Sequence, residues 1–156
     1  LRALVQAGAP ASGDGGPYRS RLELSPPEGD SDLAELLRGL SGRTTTVSVP
    51  GGQVPMPTVR AVEIVAAVRA CLDNVARHVG ADAPAWVLLE DLGDQVVVTV
   101  RDEGPGIAEG RLVEAASQGR LGVAESIRGR VTDLGGTTAL ETAPGQGTEW
   151  ELTFPR

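Results

Sequence analysis

The sequence contains no lysine: all 14 basic residues are arginine, set against 21 Asp and Glu, for a formal net charge of -7. That balance argues against nonspecific binding to nucleic acid and against direct contact with an anionic membrane, and leaves room for a local basic site at most. A single cysteine, Cys71, excludes an internal disulfide and any multi-cysteine metal centre, and a single histidine, His78, leaves a zinc site short of ligands. Aromatic residues make up only 3% of the chain, so its core has to be aliphatic, built from Val, Leu, Ile and Ala. No apolar run approaches the roughly 20 residues of a membrane span, and no secretory leader is visible. A cytoplasmic domain is the expectation. Because the chain starts at Leu1 rather than at methionine, it is expected to be an excerpt of a longer protein.

What is present is ordinary globular composition, 40% hydrophobic and 22% charged in 156 residues, a length that fits one domain. Residues 1–30 read as the tail of an upstream helix followed by a linker rich in Gly, Pro, Ser and Ala; residues 31–156 read as the folded domain. Ser31 or Asp32 is placed to cap a helix with a Leu33, Leu36, Leu37, Leu40 stripe that Gly42 ends. A short strand is predicted over Thr44 to Val49, and a long helix from a Thr58 cap to Val79, stopped by Gly80. Trp86 to Glu90 and Gln95 to Arg101 form a predicted hairpin; a third helix spans Leu121 to Leu134. Thr137 to Thr142 and Thr148 to Phe154 close the chain as two strands joined by Pro144-Gly145-Gln146-Gly147. One apolar face per strand and one stripe per helix predict an α+β fold, a two-layer sandwich in which helices cover one face of a mixed, mostly antiparallel sheet.

Two clusters carry chemistry. In the strand Gln95 to Arg101, alternation puts Val96, Val98, Val100 and Asp102 on one side, so a carboxylate points where valines point. Such an acid needs a partner, and Gly104 and Gly106 just beyond it let the backbone open away from the sheet, as at the start of a pocket. An Asx-type turn at the strand end accounts for the same pentapeptide on local grounds. On the long helix, Val68, Leu72, Val75 and Val79 fall in one sector, expected to face the sheet. Ala70, Asn74, Arg77 and His78 fall in another, where the only asparagine and the only histidine of the chain are neighbours. An amide oxygen is a hard ligand suited to Mg²⁺, and a guanidinium can meet phosphate. A solvated amphipathic face, with His78 favoured by the helix dipole, is the plainer reading of the same residues.

Taken together, four segments resemble the boxes of the GHKL superfamily of ATP-binding domains. Cys71-Leu72-Asp73-Asn74-Val75-Ala76-Arg77-His78 resembles its N-box helix, and Arg101-Asp102-Glu103-Gly104-Pro105-Gly106-Ile107 is similar to its DxGxG box. Gly119-Arg120-Leu121-Gly122-Val123 looks like the second glycine box, and Gly147-Thr148-Glu149-Trp150 like the terminal GT box. Order and separation match across roughly Leu33 to Phe154, a conjunction far more specific than any one box. The nearest likeness is to the C-terminal catalytic and ATP-binding domain of two-component sensor histidine kinases.

The resemblance implies a Bergerat fold with ATP held between helices and sheet. It implies that Asp102 accepts from the adenine amino group, that Thr148 supports the same base edge, and that Asn74 holds Mg²⁺. Arg77 or His78 would meet phosphate oxygens, and Gly104 and Gly106 would hinge a lid. Gly119, Leu121 and Gly122 would bring a helix N-terminus to the phosphates. The implied partners are a histidine-bearing dimerisation domain upstream in the same protein and a response regulator. One departure stands out: many relatives carry a glutamate four residues before the N-box asparagine, where this chain has Ala70. That loss opens a second reading, a degenerate nucleotide-binding scaffold; a stand-alone serine kinase of the anti-sigma-factor type is a third.

Overall fold

A computed structural model describes residues 25, 27–106 and 122–156 of the chain. Among them, three helices and seven strands follow one another: β1 (Asp30–Asp32), α1 (Leu33–Arg38), β2 (Thr45–Ser48), β3 (Pro55–Pro57), α2 (Thr58–His78), β4 (Ala85–Asp91), β5 (Gln95–Asp102), α3 (Gly122–Asp133), β6 (Thr137–Thr142) and β7 (Thr148–Pro155). Five strands form one sheet in the order β2-β4-β5-β7-β6, in which only the β2–β4 pair is parallel. Parallel neighbours need a crossover, and α2 lies within the one that joins them. The expected mixed, mostly antiparallel sheet with helices on one face is what the chain adopts.

β1 and β3 form a separate antiparallel pair that the sequence pattern did not predict. Asp32 explains it: its Oδ1 accepts from Ala34 N at 3.0 Å, capping α1, and from Val54 N at 2.9 Å, pinning the segment that leads into β3. α1 is shorter than expected and ends at Arg38. Leu33 and Leu37 are buried, Leu40 is half-buried beyond the helix, and Leu36 points outward. Thr58 does not cap α2. Pro57 occupies that position, and the Thr58 hydroxyl bonds Ser31 Oγ at 2.8 Å instead, tying the helix start to β1.

The core is mostly aliphatic, as expected, but Trp150 and Phe154 also belong to it. β4 contributes Val87 and Leu89, β5 contributes Val96, Val98 and Val100, and β7 contributes Trp150, Leu152 and Phe154; Ile127 and Val131 of α3 pack over them. α2 buries Ala61, Ile64, Ala67, Val68, Cys71 and Val75, while Leu72 is half-buried and Val79 is exposed. Its buried face is therefore rotated by roughly 40° from the expected valine sector, toward the Asn74 side. The apolar stripe alone could not locate that face, because alanines and a cysteine complete it.

α2 and α3 run antiparallel. Arg60 Nη2, near the start of α2, donates to Leu134 O at 2.8 Å just beyond α3 and to Pro155 O at 2.5 Å at the end of β7. Arg130 and Glu63 approach to 3.6 Å in an exposed pair. The C-terminal end of α2 and the N-terminal end of α3 consequently lie at the opposite end of the sheet.

Candidate functional site

That opposite end is where β5 finishes and β7 begins. Asp102 pairs with Ala85 on one side and Thr148 on the other, and Thr148 pairs in turn with Thr142 of β6. Strand parity turns Asp102 and Thr148 to the helix side, as expected. At 5% exposure, Asp102 is the only buried polar or charged residue among the described residues. Its Oδ1 accepts from Gly104 N at 2.8 Å, which is an Asx turn. No described residue meets Oδ2. The local reading of this aspartate is realised, since one oxygen stabilises the turn, while the other meets no donor among the described residues. Oδ2 is not sealed from solvent, since the only buried side-chain polar atom without a partner among the described residues is Arg60 Nε, and it is therefore open to a donor from outside the protein.

The two glycines after Asp102 are required by close packing. A Cβ on Gly104 would lie 2.6 Å from the Val79 side chain and 3.0 Å from Asp102 Oδ1. This contact brings the end of α2 against the turn. Gly106 has φ +69, where L side chains are strained, and its Cβ would overlap the Ala143 carbonyl oxygen. Gly147, at φ +75, sits equally close to the Asp102 carbonyl, and Gly145 N donates to Pro105 O at 2.6 Å. The 144–147 loop is therefore folded onto the Asp102 turn. Thr142 Oγ1 holds the loop from β6, 3.1 Å from Gly147 O and 3.2 Å from Thr148 Oγ1.

Asn74 is half-buried on the flank of α2, next to the buried Ala67 and Cys71 positions on the helix wheel, and has no hydrogen-bond partner among the described residues. Arg77 and His78, exposed in the last turn, form no ion pair among the described residues. Ala70, one turn before Asn74, packs partly against the core. Cys71 is buried, and burial pushes its thiol up to about 12, a backbone hydrogen bond opposing this only in part. It remains a protonated, unreactive core side chain.

α3 begins at Gly122. Arg128 lies over the Trp150 ring at 5.6 Å from its centroid. Six residues separate Arg128 from Gly122, about 9 Å of helix, which carries the first turn beyond Trp150 toward the Thr148 end. Gly119, Arg120 and Leu121 lie outside the described residues, as does the predicted lid segment.

A cavity of about 340 Å³ opens at this end, lined by Thr142, Gly147 and Thr148 together with Arg101, Glu141 and Glu149. Its lining reaches Thr148 but not Asp102 or Asn74. The binding geometry is better read from the buried Asp102 than from this opening, whose charged residues belong to the outer face of the sheet. No group of three or more His, Cys, Asp or Glu side chains gathers among the described residues, so a metal would need other donors.

Sequence reasoning singled out Asn74, Asp102 and Thr148, of which the last two stand side by side on paired strands. It missed Thr142, whose position opposite Thr148 across the hairpin was the available signal, and it missed the contact of Val79 with Gly104.

Comparison with known proteins gives a consistent picture. Residues 60–156 match the family described as histidine kinase-, DNA gyrase B-, and HSP90-like ATPase. The chain is 26% identical to the histidine kinase domain of the Erythrobacter litoralis EL346 blue-light activated histidine kinase, with a TM-score of 0.57, covering 88% of this chain and 69% of that one. Against a longer structure of the same kinase, at 27% identity, TM-score 0.57 and 79% of this chain, it spans 39% of the length. The catalytic domain of histidine kinase ThkA shares the fold, with a TM-score of 0.64 at 19% identity over 83% of this chain and 96% of that one. No curated protein matches the sequence.

Proposed function

Since the chain belongs to the histidine kinase-, DNA gyrase B-, and HSP90-like ATPase family, we propose that it is the ATP-binding catalytic domain of a sensor histidine kinase. Its reaction is transfer of the ATP γ-phosphoryl group to a histidine on an upstream dimerisation domain, from which a response regulator receives it. Residues 31–156 are the catalytic unit in this reading. The observation that carries it is Asp102: a buried residue at the junction of strand ends and helix ends, with one oxygen held by Gly104 N–H and the other meeting no donor among the described residues.

Each matched residue has a physical role here. Asp102 Oδ2 accepts from the adenine amino group, and Thr148, paired with it across β5 and β7, supports the same edge. Arg77 and His78, exposed in the last turn of α2, serve as cationic or hydrogen-bonding contacts for phosphate oxygens. The first turn of α3, with Gly119, Leu121 and Gly122 at its approach, offers backbone N–H groups and the positive end of the helix dipole.

Mg²⁺ is implied by the family, and Asn74 fits it. Magnesium keeps most of its waters and takes one or two protein ligands plus phosphate oxygens, so one half-buried amide suffices where the described residues hold no carboxylate cluster. When bound, the ion neutralises phosphate charge. The chain's own contribution is positioning and charge complementarity, because phosphoryl transfer asks little covalent chemistry of the protein.

Ala70 supports one competing reading. Its methyl group stands where a general base is common in relatives, and a scaffold that binds nucleotide without transferring phosphate would tolerate that loss. The deciding experiment is autophosphorylation of the full-length protein with γ-labelled ATP. Acid-labile label that disappears in Asn74→Asp is expected; absence of label in wild-type protein that still binds Mg-ATP favours the scaffold.

A further inference from the structure

Asp102, Thr148 and Thr142 lie in register across β5, β7 and β6, one residue on each strand. Thr142 Oγ1 is 3.1 Å from Gly147 O and 3.2 Å from Thr148 Oγ1. A hydroxyl has one proton and two lone pairs, whereas a carbonyl only accepts. The Thr142 proton is therefore donated to Gly147 O, and the contact between the two threonines is donated by Thr148. With its proton directed at Thr142, Thr148 has only lone pairs left for a ligand. A carboxylate is also acceptor-only, and Asp102 Oδ1 is already engaged by Gly104 N–H.

We infer that Thr142 is a specificity-determining positioning residue: it holds the Thr148 proton, so that Thr148 and Asp102 together present two acceptors and no donor to the base. The inference rests on the nucleotide reading above and deepens it. Facing residues on neighbouring strands have Cα atoms about 4.5–5.5 Å apart, a span that an exocyclic amino group can serve on both sides, directly or through one water. A base with a carbonyl at that position would set its oxygen against two acceptors. Sites with committed polar groups reject such analogues strongly, because those groups are left unpaired. Thr142 does this without touching the base; its hydroxyl acts through Thr148.

The test is calorimetric titration of the chain with Mg-ATP and Mg-ITP, which differ at the 6-position edge of the base. Wild type is expected to prefer ATP. Thr142→Val keeps the shape but removes the acceptor for the Thr148 proton, so the Thr148 hydroxyl can turn and donate to the inosine carbonyl. The ATP-over-ITP ratio should fall about fivefold, in line with one redirected hydrogen bond, and ITP should account for most of the change. Thr142→Ser restores the hydroxyl and should restore the ratio, which a purely structural role of the methyl group would not predict. If Thr142→Val does not fold, Thr148→Ala decides: loss of the second acceptor should lower the ratio by a similar factor. An unchanged ratio in the folded variant, with wild type preferring ATP, overturns the role of Thr142 and leaves the nucleotide site standing. Failure of wild type to bind either nucleotide overturns the nucleotide reading and this inference with it.

Discussion

Replacing Asp102 by asparagine separates the two functions of this carboxylate. The amide keeps an Oδ1 that can accept from Gly104 N–H, now at 2.8 Å, so the turn after β5 should survive. In place of Oδ2 it presents an NH₂ group, a donor where the adenine amino group also donates. Hydrogen bonds to charged groups contribute about 1.5–3 kcal/mol, and at 5% exposure little water is available to compensate. With about 1.4 kcal/mol per factor of ten, affinity for a non-hydrolysable ATP analogue should fall by about tenfold at least and by roughly a hundredfold at the upper end. Isothermal calorimetry gives the affinity, and thermal unfolding without nucleotide serves as the control. The melting temperature should move by no more than a few degrees, since the Asx turn is retained. Unchanged affinity in a folded variant would refute the reasoning, and a large fall in nucleotide-free stability would assign Asp102 to the turn alone.

Other consequences follow from the same geometry. Gly106→Ala places a Cβ at φ +69 against the Ala143 carbonyl, so it should destabilise the fold by about 1–3 kcal/mol or more in urea unfolding; a neutral result would mean that the 144–147 loop does not pack there. Cys71, with its thiol pushed up to about 12 by burial, should resist DTNB at pH 8 in the native protein and react promptly on unfolding. Fast native reaction would contradict the burial of that face of α2. The Asp91 carboxyl is held below its usual range, first by Gly93 N–H and then by the two contacts from Arg156, each 2.8 Å. Its folded pKa is depressed, so its stabilising contribution is present above the ordinary carboxylate value of about 3.9 and is lost as pH falls through the lower folded value. Asp91→Asn should accordingly lower the urea midpoint at pH 7 and change it little near pH 2; equal effects at both would show that charge plays no part.

The long elements were legible in the sequence because their periods are strong. β5 and β7 alternate cleanly, and Asp102 and Thr148 could be assigned to the helix side from parity alone. β1 and β3 were not legible, since three-residue strands have no measurable period and β3 is flanked by prolines. They depend on Asp32, whose side chain joins residues 22 apart. The parallel pairing of β2 with β4 is a matter of topology and leaves no local trace. For α2, the expected valine sector missed because Ala61, Ala67 and Cys71 help fill the buried face, while Val79 is exposed and lies against Gly104. That rotation brings Asn74 closer to the buried face than the wheel implied. The closeness of Gly104, Gly106 and Gly147 to facing backbone and side chains was likewise invisible in a list of glycines. The second glycine box at Gly119 and Leu121 stands on sequence resemblance.

Adenine recognition by Asp102 is tested most directly by titrating the chain with Mg-ATP and Mg-GTP under identical conditions. Saturable binding of one Mg-ATP per chain, with Mg-GTP weaker by about tenfold or more, is the expected result. Equal affinity for the two nucleotides would contradict it, because guanine offers a carbonyl where the buried carboxylate requires a donor.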